Sequence, residues 1–293
     1  MTASLRPLCG AVCFLLLACT RAPRQRFNLE SLEVTGNEEL DDDEIEEKIA
    51  SRETPRFLGL FPGVIYDYEV FNRFVLERDL QRVERLYRSR GFYQARARAA
   101  HVFRSGSKVR VEIVVEEGNP LLLKRVDVHG VEKLPAEVRA EALEAATSRM
   151  PIGARFEEEA FSDSSKAVAR VLADHGYAQA LVRKSANVSL PKNSASAGFW
   201  VEAGEVSELG AIKLEGLGDL PEDNVRRTLG VKPGDTYSQT EIDEAKRALL
   251  DLGVFSSVNI EPQVDNSSPG PSGRPRVPLL VKLERSKLRS IRL

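Results

Sequence analysis

The sequence predicts an α+β chain of three tandem modules, each a β-α-α-β-β unit whose three-stranded sheet is covered by two helices. Three observations predict it. An apolar strand ending in Gly occurs three times, as Glu33-Val34-Thr35-Gly36-Asn37, Asp127-Val128-His129-Gly130-Val131 and Lys213-Leu214-Glu215-Gly216-Leu217. A Pro/Gly turn follows each, in Phe61-Pro62-Gly63, Pro151-Ile152-Gly153 and Lys232-Pro233-Gly234. A helical segment then closes on Gly91, Gly176 or Gly253, and two strand-like runs come after it. The closing glycines are 85 and 77 residues apart, longer than common solenoid periods, so each unit is the size of a small domain.

Taken in order, residues 1–26 read as a signal peptide and short tether. Arg6 precedes an apolar stretch from Leu8 to Ala18, the length of a signal-peptide core and too short to span a bilayer. It ends Leu16-Leu17-Ala18-Cys19, which resembles the bacterial lipobox; the resemblance implies that Cys19 is diacylated as a lipid anchor, and Thr20 resembles the outer-membrane sorting pattern. Cys9 and Cys13 fall in the part to be removed, so Cys19 is left as the one thiol, with no intramolecular disulfide or cysteine metal site to build. That usage suits an oxidising compartment.

The first module spans 27–118. Leu32 and Val34 mark its first strand, and the acidic run 41–44 opens a helix at the positive end of its dipole. Those carboxylates lack the alternating Asp/Asn, the Gly and the distant Glu of an EF-hand, so no metal is assigned. Leu76, Leu80, Val83 and Tyr87 share a helix face, as do Phe161, Val168, Leu172 and His175 in the second module (119–206), and Ile242, Ala245, Leu249 and Leu252 in the third (207–286). Two strands follow each closing glycine; in the first module Val109, Val111, Ile113 and Val115 alternate on one face. The last loop, 266–273, is rich in Pro, Gly and Ser and reads as a mobile tip between strands.

At 293 residues, 42% hydrophobic and 29% charged, with a net charge of −2, the chain has ordinary globular composition and no global field for nucleic acid. His101, His129 and His175 stand beside no Ser or Cys nucleophile signature, and the sequence contains no P-loop, dinucleotide fingerprint or HExxH run. The reading is a non-enzyme without cofactors.

With this order in hand, the chain resembles the POTRA (polypeptide-transport-associated) domains of the BamA/TamA family of outer-membrane protein assembly factors. The paired signatures are Gly36 with Gly91-Phe92, Gly130 with Gly176-Tyr177, and Gly216 with Gly253-Val254-Phe255. The third unit matches best, through the turn 234–237 and the run 251–258. Residues 287–293 resemble the onset of a first barrel strand whose barrel is missing from this chain, and a lipobox is unusual for the family.

The resemblance implies a periplasmic module at the outer membrane that captures extended polypeptides by β-augmentation, without chemistry. In such domains the second strand of each unit is the usual exposed edge. That carries over to 95–103, 180–190 and 257–264, with Ala95, Ala97, Val102, Val182, Val188, Val258 and Ile260 as edge positions and the nine glycines Gly36, Gly63, Gly91, Gly130, Gly153, Gly176, Gly216, Gly234 and Gly253 as repeat-defining turns. Partners are unfolded outer-membrane protein clients, other envelope assembly proteins, and the outer membrane through a lipid anchor or a missing barrel. The alternating Ala and Arg of 95–99 equally fit a charged edge that blocks aggregation. Short linkers at 117–120 and 205–207 restrict pivoting. Two alternatives stay open: a scaffold or adaptor lipoprotein of the envelope, and a polysaccharide- or peptidoglycan-binding protein.

Overall fold

The computed structural model describes residues 27–52, 56–57, 61–62, 70–264 and 268–286; the signal segment, Cys19, Gly63 and 287–293 lie outside them. Element order repeats three times. The first set is β1 (Asn28–Thr35), α1 (Asp42–Lys48), the two-residue strands β2 (Arg56–Phe57) and β3 (Phe61–Pro62), α2 (Arg73–Ser89), β4 (Arg96–Ser105) and β5 (Lys108–Glu116). The second is β6 (Leu122–His129), α3 (Ala136–Thr147), α4 (Glu158–Asp174), β7 (Leu181–Ser189) and β8 (Ser194–Glu202). The third is β9 (Glu208–Glu215), α5 (Glu222–Leu229), α6 (Gln239–Asp251), β10 (Phe255–Pro262), the short β11 (Ser268–Pro269) and β12 (Pro275–Arg285).

Each module forms one mixed sheet with the third strand in the middle. β5 pairs parallel with β1 and antiparallel with β4; β8 does the same with β6 and β7, and β12 with β9 and β10. The two antiparallel strands are neighbours in sequence, while the parallel pair needs the helical crossover between them. The described part of the last loop is paired rather than a bare tip: β11 pairs the start of β12, and the Gly273 N–H donates to the Gly270 carbonyl at 2.9 Å. β12 simply extends past β10 and gives these residues a partner.

Contacts divide the chain into two compact units, one of residues up to Arg88 with Gln94–Gly118, the other of Ser89–Tyr93 with all residues from Asn119 on. In the first, the buried side chains include Leu29 and Leu32 of β1, Ile45 of α1, Leu76, Val83 and Tyr87 of α2, and alternate residues Val109 to Val115 of β5. In the second unit two cores form. Leu123, Val138, Phe161, Val168, Leu172 and Phe199 belong to one, and Leu209, Val225, Ile242, Leu249, Val258 and Leu279 to the other. At about 25 cal/mol per Å² of apolar surface removed from water, each such side chain contributes on the order of 1.5–3 kcal/mol.

Two helix faces end sooner than the spacing predicts. His175 caps α4, with its ring bonded to Glu141 at 2.8 Å, and Leu252 follows the end of α6 and is 46% exposed. In α2, the stripe also contains a fully buried carboxylate, Asp79, which accepts from the Ala50 and Ser51 amides at 2.9 and 2.8 Å and from the Ser51 hydroxyl at 2.6 Å. A buried charge is tolerable only when bonded this fully.

Candidate functional site

The two outer strands of each sheet are not equivalent. In the second and third modules, the Pro/Gly turn folds against the start of the first strand and bonds its backbone. Gly153 N–H donates to the Leu123 carbonyl at 2.7 Å, and Leu123 N–H donates to the Ala154 carbonyl at 2.8 Å. Gly234 N–H and Leu209 C=O, and Leu209 N–H and Asp235 C=O, repeat this at 2.8 and 2.7 Å. Phe156 to Leu121 and Tyr237 to Ser207 add a second rung at 2.8 and 3.0 Å. In the first module Val70 bridges Asn28, and Phe71 N–H donates to Phe27 at 2.7 Å. The eight described repeat glycines all have positive φ, from +70° to +97°. At Gly153 and Gly234 that conformation is what turns the strap back onto the strand.

The second strand of each module, β4, β7 or β10, ends its sheet with pairing on one side only. A row of backbone donors and acceptors therefore faces outward, the feature on which an extended chain can add as a further strand. β7 pairs with β8 without interruption from Leu181 to Ser189, whereas β4 carries a bulge at Ala100 and β10 an irregularity after Phe255.

The side chains named for these edges divide. Val102 is 49% exposed, and Ala97, Val182 and Val188 are half-buried. Ala95 is a correction: it precedes β4 and is buried, so it offers no edge position. Val258 and Ile260 point into the third core, because alternate side chains of a one-sided sheet must face the helices even where the backbone is open.

Sequence reasoning missed the polar joint between the second and third modules. Asp174, the last residue of α4, accepts from Thr240 N–H at 2.7 Å and Thr240 Oγ1 at 2.8 Å, and Arg170 reaches Asp174 at 3.1 Å and Asp243 at 2.6 Å. Ala173 and Ala178 pack on the third core beside it. Thr240 lies in the first turn of α6, where a carboxylate is favoured by the helix dipole. Tyr237 lies in this neighbourhood; burial first, then the nearby charges of Asp174 and Asp243, push its phenol up to about 12.

Each of the three histidines has its own local partner. His101 bonds Glu112 at 2.7 Å and stacks on Phe103, His129 stacks on Trp200, and His175 bonds Glu141. Among the described residues no group of three or more His, Cys, Asp or Glu side chains is placed to hold a metal ion, and no helix is long and apolar enough to cross a membrane.

Comparison with known proteins gives a consistent picture. The POTRA family model, described as surface antigen variable number repeat, matches residues 27–118 and 207–285. The outer membrane protein assembly factor BamA of Nitratidesulfovibrio vulgaris is 30% identical over 154 residues, 50% of this chain and 19% of that protein. The crystal structure of Haemophilus influenzae BamA POTRA3-5 superposes with a TM-score of 0.55 at 20% identity, covering 90% of this chain and 99% of that one, a likeness of fold. The chain spans about a fifth of the length of the curated relatives it matches, 19% and 23%.

Proposed function

Because this chain belongs to the POTRA family, we propose that it is a periplasmic module of an outer-membrane protein assembly or export system, holding extended polypeptides at the open edges of β4, β7 and β10. The observation that carries this reading is the asymmetry of the sheets. Each is strapped at the start of its first strand and bordered by its second, on which no further described strand pairs. Backbone pairing gives affinity without demanding one client sequence, which suits a chain that handles many polypeptides and changes none of them. The assembly-factor name of the N. vulgaris relative supports the same reading. Attachment at the outer membrane, through a lipid on Cys19 or through polypeptide beyond residue 286, belongs to the proposal, as do partner assembly proteins of the envelope.

Site-specific photocrosslinking at Val102 and Val188 in growing cells tests it. Adducts with several unfolded outer-membrane proteins are expected. Adducts confined to one or two folded envelope proteins would instead establish the scaffold reading.

A further inference from the structure

The edge of β4 is partly occupied. The Ala97 N–H donates to a carboxylate oxygen of Glu84, on α2, at 3.2 Å. In an antiparallel ladder, successive residues turn their backbone groups alternately toward the partner strand and away from it. Since the Ala97 N–H reaches Glu84, it faces away from β5, and so does that of Ala99. The bulge at Ala100 then shifts the alternation by one residue, because Ala99 pairs Ile113 while His101 pairs Glu112. Beyond it, Val102 and Arg104 carry the outward groups.

The two halves of β4 also differ in cover. From Ala100 to Ser105 every residue is exposed, on both faces of the strand, with Val102 49% and Phe103 55% accessible. Phe103 stacks on His101 on one face, and Val102 lies on the other. Before the bulge, Ala97 and Ala99 are half-buried among exposed arginines.

We propose that Glu84 plugs the first half of the β4 edge, so that an incoming strand adds only along Val102 to Ser105, where it meets Val102 and Phe103. A carboxylate already bonded to the Ala97 amide removes one donor from the ladder and sets a negative charge against the carbonyl oxygen an added strand would bring there. The bulge prevents a strand in register with Val102 and Arg104 from continuing past Ala100. The segment that fits is therefore short, extended and apolar at the positions opposite Val102 and Phe103, since cross-strand aliphatic and aromatic pairs stabilise such an addition. Glu84 acts as a positioning residue: it sets where on β4 a client pairs. This rests on the strand-capture reading above.

The test uses the full chain with a photocrosslinking residue at Arg98, Phe103 or Val188, one at a time, and an unfolded outer-membrane β-barrel polypeptide diluted from urea as the probe. Adducts are expected at Phe103 and Val188, with about tenfold fewer at Arg98, the factor one charge-assisted hydrogen bond commands. Glu84→Ala should raise the Arg98 adducts toward the Phe103 level and speed hydrogen exchange at the Ala97 amide, with thermal unfolding unchanged. Glu84→Gln keeps an acceptor but loses the charge, and should give Arg98 adducts between those of the unaltered chain and those of Glu84→Ala. Equal adducts at Arg98 and Phe103 in the unaltered chain, or an Ala97 amide indifferent to Glu84→Ala, overturn the plug. Adducts at Val188 with none on β4 overturn it while leaving strand capture standing; adducts at none of the three overturn both.

Discussion

The carboxylate of Asp174 accepts the Thr240 amide at 2.7 Å, so the last residue of one module's second helix caps the second helix of the next. Arg170 ties the same carboxylate to Asp243. Asp174→Ala is expected to remove a cap and its charged bonds, about 1–2 kcal/mol. Spin labels at Glu144 and Lys246 should then report a broader distance distribution by pulsed electron resonance. An unchanged distribution would mean that the apolar contacts of Ala173 and Ala178 suffice to hold the joint.

Glycines of one motif should respond differently to the same substitution. A Cβ at Gly130 or Gly216 would overlap the carbonyl oxygen of Val201 or Leu283, at φ of +83° and +87°. Gly153 and Gly234 have φ of +91° and +97° but open space around the Cβ position. Alanine is expected to destabilise by about 1 kcal/mol at the second pair, from backbone strain alone, and by about 3 kcal/mol or more at the first, where the strand must also move. Urea midpoints of the four variants measure the difference.

Asp79 makes the first module sensitive to acid. Burial opposes its ionisation, but the Ser51 hydroxyl, the amides of Ala50 and Ser51, and Arg82 outweigh that and hold its carboxyl below the usual range. A carboxyl lowered by folding contributes its stability above the unfolded value of about 3.9, and that contribution is lost as pH falls through the lower folded value. Asp79→Asn is therefore expected to cost about 2 kcal/mol at pH 7 and progressively less toward pH 2. Urea titrations followed by circular dichroism at both ends of that range provide the check.

Trp200 is the chain's single tryptophan and reports on the second sheet. Its ring lies across Gly198, where a Cβ would stand 2.5 Å from the indole, and it stacks on His129 at 5.5 Å between ring centroids. Gly198→Ala should lift the indole off the sheet, shifting its emission to longer wavelength while the melting temperature changes little. Unshifted emission would show that the ring is held by His129 instead.

Much of this architecture was legible because its signals are local. The alternation from Val109 to Val115, the stripe Phe161, Val168 and Leu172, and the glycines after each helix are read within a few residues of one another. What escaped depends on distant pairs. Asp174 and Thr240 are 66 residues apart, and Glu84 and Ala97 belong to different elements, α2 and β4, and meet only in the folded module. Asp79 left a trace, a carboxylate one turn from Leu76 and Val83 on a helix whose apolar face needs that position, and it reads as a surface charge until Ala50 and Ser51 are brought to it. Ala95, Val258 and Ile260 show the opposite confusion. A place in or next to an outer strand does not put the side chain on the surface, since an open backbone and a buried side chain coexist at one residue.

The strap formed by residues 153–156 and 234–237 has a bearing on self-association. Fibrils grow when every protomer presents two matching rims, one to receive a neighbour and one to be received. Here the turn occupies the beginning of one rim, so a further copy approaching β6 or β9 finds the first positions of that rim already bonded. The strap thus works against edge-to-edge growth along the first strands, since an added chain would have to begin beyond Leu123 or Leu209.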